Sequence, residues 1–355
     1  MQNYSCPTCG AQLYWDATKQ CLYCHYCDSS FSPDDFGDKT AVAEDGQVPK
    51  VEAEKLSDNV VVSEDEDIVV YECKTCGGEV VAQRTTMATV CPYCGEAISV
   101  TTKSVGEFRP ELVIPFSQEK KEAIALFKKY VKRSFLTPSA FKQDNILEKI
   151  QGLFVPFYLH TVVDNAEHRF KGEKVSSHRS GDDKVTTHKV YQLNINATGK
   201  FDKVPTDAAK GIENDLMDAL EPFTYKELVE YNPAYMAGFL AEQRDEELDL
   251  LKERAKTRCE DGMNENARKS FVGYTALAQT HTNHKFCEHE AQYVMLPVWI
   301  LNVKHHNKKY RFAINGQTGK IVGHLPTDWG KFAGICAGIF AAVEILSAFI
   351  LPVLM

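Results

Sequence analysis

The chain has 355 residues, 44% hydrophobic and 25% charged, a make-up that suits two or three globular domains and excludes a disordered or fibrous polymer. Its net charge of −9 is uneven: from Asp34 to Asp67 twelve acidic residues face only Lys39, Lys50 and Lys55. The rest of the chain therefore carries no excess of the basic groups that supply nucleic-acid affinity.

In chain order the first elements are built on cysteines. "CPTCG" places Cys6 and Cys9, and "CLYCHYC" offers Cys21, Cys24 and Cys27, so two registers of a four-thiolate site compete. A second set resolves them. Cys76 and Cys91, from "CKTCGG" and "CPYCG", are separated by fourteen residues, as are Cys9 and Cys24. The repeated unit is C-x2-C-x14-C-x2-C, with ligands Cys6, Cys9, Cys24, Cys27 in one copy and Cys73, Cys76, Cys91, Cys94 in the other; Cys21 is left over. Four thiolates close a tetrahedron around Zn²⁺ with no position for water, which predicts two structural zinc ions rather than hydrolytic ones. Disulfides or an iron–sulfur cluster are the alternatives; clustered thiols without a signal peptide point to a reducing cytosol. The spacing predicts zinc ribbons over 1–33 and 69–105, joined by an acidic flexible linker over 34–68 that is a solvated spacer or a docking segment.

Residues 108–326 read as a mixed α+β domain. Ser117 is the expected N-cap of an amphipathic helix carrying Ile124, Phe127 and Val131. "LFVPFYLHTVV" and "YQLNINA" read as strands, "TDAAKGIENDLMDAL" and "GFLAEQRDEELDLLKERAKTRC" as helices, the latter with a stripe of Leu240, Leu248, Leu251 and Ala255. "YVMLPVWILNVK" pairs with "KKYRFAIN" as a closing hairpin. Val155-Pro156-Phe157-Tyr158 and Leu296-Pro297-Val298-Trp299 enter strands in similar ways, a weak internal duplication.

The C-terminus differs. From Phe332 to Met355 twenty-four residues carry one charge, Glu344; at ~1.5 Å each they span about 36 Å, more than the ~30 Å hydrocarbon layer. Residues 330–355 are thus expected to form a transmembrane tail anchor, with Trp329 and Lys331 at its border and a buried core helix as the alternative. The location expected is the cell membrane, single-pass, with the N-terminal bulk cytoplasmic. Gly330, Gly334, Gly338 and Ala342 recur every fourth residue, a stripe that lets helices approach closely, with Glu344 beside it as a hydrogen-bonding group; homo- or hetero-oligomers through this helix are expected.

The stretches "LVIPF", "VPFYL", "YNPAYMAGFLAE", "LPVWIL" and "FAINGQTGKIVG" resemble the YdjG-type family of bacterial TFIIB-type zinc-ribbon membrane proteins, encoded in a Gram-positive phage-shock operon and often mislabelled as primosomal replication-restart helicases. The resemblance implies a scaffold that brings a protein partner to the membrane, the partner class being SPFH-type and PspA-type envelope-stress proteins.

An enzyme is not expected. "GQTGKI" lacks the glycine spacing and hydroxyl of a phosphate loop, and neither a zincin nor a nucleophile-elbow motif occurs. His281, Cys287 and His289 would share one strand face and are acceptable zinc ligands, but their spacing matches no known site and water-facing polar residues are the simpler reading. His305 and His306 should point to opposite faces. A membrane-tethered nucleic-acid binder is the competing reading. It is disfavoured because Lys19 is the only Lys or Arg between Cys6 and Cys27, although Tyr14, Trp15, Tyr23 and Tyr26 could stack bases.

Overall fold

The computed structural model describes residues 4–36, 60–62, 68–72, 79–83, 86–90, 97–99, 109–306 and 308–354. Three short strands, β1 (Tyr14–Asp16), β2 (Cys21–Tyr23) and β3 (Ser30–Phe31), form the first sheet. A second joins β4 (Val60–Val62), β5 (Ile68–Glu72) and β6 (Glu79–Gln83). The third and largest sheet takes in β7 (Thr86–Val90), β8 (Ala97–Ser99), β9 (Leu112–Val113), and then, after helices α1 (Lys120–Arg133) and α2 (Asp144–Leu147), the long strands β10 (Gln151–Ser180) and β11 (Asp183–Asp207). Helix α3 (Asn214–Leu220), strands β12 (Val229–Glu230) and β13 (Leu240–Glu242), helix α4 (Leu248–Lys269), strands β14 (Ala276–His305), β15 (Lys308–Asn315) and β16 (Ile321–Gly323), and helix α5 (Trp329–Leu354) complete the order.

Strand residues outnumber helical ones, 43% against 29%, and the main sheet curls into a half-barrel. The expected α+β class is therefore corrected to a mostly β fold. The reason lies in three strands: β10, β11 and β14 run for 30, 25 and 30 residues, far beyond the apolar cores that signal them in sequence. Each continues through polar segments whose ladder hydrogen bonds hold them, although one face meets water.

The β10–β14 pair forms the spine. Val155 lies opposite Leu296 and Phe154 opposite Pro297, so the two similar proline-bearing segments meet each other at the centre of the sheet. The carbonyls of Pro156 and Pro297 accept N–H groups of Ala208 and Gly316 from outside the pair, at 2.9 Å each. Alternation sends Phe154 and Tyr158 to one face, with Phe116, Phe127, Phe141, Trp299 and Phe312, and Leu153, Val155, Phe157 and Leu159 to the other, under α3. Helix α1 is capped not by Ser117 but by Glu119, in a reciprocal box with Glu122, because Ser117 and Gln118 give their N–H groups to Gly316.

Among the described residues no helix is long and apolar enough to cross a membrane. The expected transmembrane anchor over 330–355, and the single-pass membrane location that rested on it, are accordingly corrected. The first turn of α5 is tied to the core, Lys331 Nζ donating to Thr137 O at 2.7 Å.

Candidate functional site

Cys6–Cys9 and Cys24–Cys27 lie on two turns of one construction. In the first, Cys6 N–H donates to Ala11 O at 2.6 Å and Gly10 N–H to Cys6 O at 2.8 Å; in the second, Cys24 N–H donates to Ser29 O at 2.9 Å and Asp28 N–H to Cys24 O at 3.0 Å. The closing residue of each turn is left-handed, Gly10 at φ 77° and Asp28 at φ 57°. Aspartate is among the few other residues that adopt this region readily.

These turns bring four sulfurs together. Cys6 Sγ stands 3.5 Å from Cys27 Sγ and Cys9 Sγ 3.6 Å from Cys24 Sγ, and all four ligand atoms lie within 4.8 Å of one another. A tetrahedron with zinc–sulfur bonds of ~2.3 Å has edges of about 3.8 Å, so the quartet fits a metal ion. Its electrostatics ask for one. The Ser29 hydroxyl and N–H hold Cys27 down to about 6. At Cys9 the Ala11 N–H favours the thiolate, yet desolvation and the neighbouring sulfurs push the thiol up to about 12. Four adjacent thiolates cannot all ionise without a cation between them. Cys21, on β2 opposite Asp16, is outside the quartet, as the spacing required.

Cys73, Cys76, Cys91 and Cys94 lie outside the described residues. The pairs that flank them do not. Ser5 pairs with Gln12 and Tyr23 with Ser30 around the first two turns; Glu72 pairs with Glu79 and Val90 with Ala97 on either side of the other two cysteine segments. Each rung encloses six residues beginning with a cysteine.

The first ribbon is docked on the main domain. Trp15 is buried, its Nε1 donating to Phe116 O at 3.2 Å and its ring edge-on to Tyr235, so it is not a base-stacking surface. Asn232 Nδ2 reaches Pro33 O at 2.8 Å. Lys19 pairs with Asp16 at 3.6 Å and lies 3.5 Å over the Tyr23 ring. Beside this contact a cavity of about 610 Å³ opens between ribbon and domain, lined by Tyr14, Tyr23, His25, Lys120, Phe239 and Trp299 among others. The "NGQTGK" turn is structural: buried Asn315 accepts from the N–H groups of Gln317 and Thr318 and donates to the carbonyls of Leu220 and Pro222, while Lys320 binds Glu221 O.

His281, Cys287 and His289 do not converge. The ladder passes from Val163↔Glu288 to Asp164↔Phe286, so a bulge at Cys287 reverses the facing. Cys287 meets Asn165 Nδ2 at 2.9 Å, whereas His289 turns inward to His160, 2.8 Å between His160 Nδ1 and His289 Nε2. His305 and His306, expected to diverge, bring their rings within 4.2 Å because His306 leaves the strand at φ 46°.

The inward histidine belongs to a strip that the sequence reading missed. His160, Asp164 and His168 are fully buried on β10. His160 Nε2 lies 2.8 Å from Thr206 Oγ1, His284 Nδ1 lies 2.6 Å from Asp164 Oδ2, and Thr282 Oγ1 stands 3.1 Å from both His168 Nδ1 and His284 Nε2. Asp164 Oδ1, His168 Nε2 and His289 Nδ1 have no hydrogen-bond partner among the described residues. The signal was "HTVVDNAEH", polar at every fourth residue and so on one face of a strand, had the strand been carried that far.

In α5 the stripe glycines Gly334 and Gly338 face open space among the described residues, with room for a side chain at each, Ala342 is exposed, and the Glu344 side chain lies outside them.

No protein-family model matches the chain, and no solved structure matches it. The protein YdjG of Bacillus subtilis (strain 168), described as uncharacterized, is 32% identical over 246 residues, which cover 68% of this chain and 72% of YdjG.

Proposed function

The chain belongs to the YdjG family, and from that premise we propose that it is a zinc-ribbon scaffold, with two structural Zn²⁺ ions, that presents its ribbon face to a protein partner. The observation that carries the reading is the closed sulfur quartet on a ribbon docked to the half-barrel through buried Trp15. All four thiolates are used in holding the ion, so nothing is left for substrate, and the ion would stabilise a module too small to fold on its own core. The second ion is supported by the repeated C-x2-C spacing and by strand pairs that flank all four C-x2-C segments at the same interval.

The partner would enter the cavity between ribbon and domain, where Tyr23, Phe239 and Trp299 offer an aromatic wall and Lys120 and Lys121 a cationic rim. SPFH-type and PspA-type stress proteins are the partner class implied by the family resemblance. Nucleic acid is the weaker candidate because the ribbon's lysine is already engaged with Asp16 and Tyr23.

The test combines metal content and binding on the full chain. Two zinc ions are expected per chain, one after Cys24→Ser, and still two after Cys21→Ser. SPFH-type or PspA-type protein should co-purify with the parent and with Cys21→Ser, and less with Cys24→Ser. Sub-micromolar affinity for DNA at about 150 mM salt, with no protein captured, would overturn the reading.

A further inference from the structure

On the face of the main sheet that lies under α3, a second cavity of about 320 Å³ runs across β13, β10, β14 and β15. Its floor is apolar: Leu240 of β13 lies beside Leu153 of β10, and Ile300 of β14 extends the same surface. The turn before α3 contributes Gly211 and is held at two points. Lys210 N–H donates to Asp245 Oδ1 at 2.8 Å, and Arg311 Nη1 donates to Gly211 O at 3.0 Å. Two charged side chains line this cavity, and they do not pair. Glu242, at the end of β13, is half-buried, and its carboxylate has no hydrogen bond or ion pair among the described residues. A glutamate withdrawn from water without a partner is an exception that calls for one. Arg311 gives Nε to Asn302 Oδ1 at 3.1 Å and Nη1 to Gly211 O, with Glu213 Oε1 3.9 Å away. These contacts fix the guanidinium plane and leave Nη2 without a partner among the described residues. Burial, and then Asp245, raise the Glu242 carboxyl above the usual glutamate range, with Arg311 opposing them; a cation beside it would bring it back.

We propose that this cavity binds a compact zwitterion with an aliphatic body, a free amino acid or a dipeptide, its ammonium group at Glu242 and its carboxylate at Arg311 Nη2. The site lies apart from the cavity at the first ribbon and does not depend on the scaffold reading. Each end of such a ligand supplies what the wall lacks. An ammonium group gives the Glu242 carboxylate charge-assisted hydrogen bonds, and a carboxylate takes the donors that the guanidinium has left over. The body between them lies on Leu153, Leu240 and Ile300, where burial of its methyl groups adds the hydrophobic term. A neutral ligand would leave both charges unpaired, and an ion of either sign alone would leave one. The volume stands at the small end of the range for ligand cavities, which suits a molecule of this size.

Saturation-transfer NMR and calorimetry on the metal-loaded full chain, with L-leucine and L-leucyl-L-leucine as probes, test this. The two probes offer the same charges at different separations, so their ranking tells the free amino acid from the dipeptide. At least one should bind with one-to-one stoichiometry. Its N-acetyl and C-amide derivatives should each bind about tenfold or more weaker, because each removes one charge-assisted contact. Glu242→Gln, which keeps the shape and removes the charge, should weaken the bound probe to the same extent while leaving zinc content and the urea midpoint in place. Absence of binding by both probes at millimolar concentration would overturn the proposal, as would derivatives that bind as well as the parent probe, or unchanged affinity in Glu242→Gln. Should the variant not fold, the derivatives on the wild-type chain decide alone.

Discussion

The β10–β14 pair has two halves with the same backbone and different interiors. Its proximal half buries Phe154, Phe157, Leu296 and Val298, and its distal half interleaves buried Val162, Ala166 and Phe170 with buried His160, Asp164 and His168 and the inward face of His284. Backbone pairing is continuous through both apart from the bulges. Strand formation thus tolerates a change of core: ladder bonds carry the pair onward from a wholly apolar interior into one that alternates polar and apolar groups. The proximal half owes its stability to apolar area, which pH does not touch. The distal half adds buried hydrogen bonds and titratable groups to its apolar contacts, and pH acts on those.

Three substitutions or conditions sharpen that contrast. The largest effect belongs to Phe157→Ala, which removes a fully buried ring packed near Phe223. It should cost about 3–5 kcal/mol, read from the urea midpoint, equally at pH 7.5 and 5.5; a pH-dependent cost would break the distinction. Next, the parent protein should lose about 1–3 kcal/mol between pH 7.5 and 5.5. The sign follows from His160 and His289, both depressed in the fold: the unfolded chain binds protons that the native chain refuses. A midpoint that rises on acidification would show that carboxylates govern instead. Smallest is Arg169→Ala on the outer face of the distal half, where Arg169 and Glu167 are partly exposed and paired at 2.7 Å. It should change stability by less than about 0.5 kcal/mol, and a loss near that of Phe157→Ala would mean that the outer face is covered.

Much of the proximal half and of the four-cysteine cluster was legible in sequence. The fourteen-residue interval selected Cys24 and Cys27 over Cys21, and apolar runs marked the paired segments around Val155 and Leu296. Elsewhere local pattern competed with longer-range structure. Leu240 joined a helical stripe in the sequence reading, but it is a strand residue pairing beside Leu153, and α4 begins only at Leu248. The face shared by His281, Cys287 and His289 assumed an unbroken period of two, which a single bulge reversed. The strip of His160, Asp164 and His168 was hidden because polar residues at strand spacing carry no hydrophobic signal. The tail shows the converse: apolar composition from Phe332 onward predicted a span that no helix among the described residues provides.

The two partners of β10 reach it by different routes. β11 follows across Gly181 and Asp182, with Ser180 already opposite Asp183 and Gly181 in the left-handed conformation at φ 65°. β14 must find Gln151 with Ile300 and Glu173 with Ala276, after α3, β13 and α4 have intervened. Closing so large a loop costs chain entropy before any rung repays it, and contacts of this separation are formed slowly. On a ribosome the hairpin is complete while β14 is still unsynthesised, leaving one edge of β10 bare with its row of open amides. The nascent chain thus passes through an interval in which its longest strand is a template for the wrong neighbour.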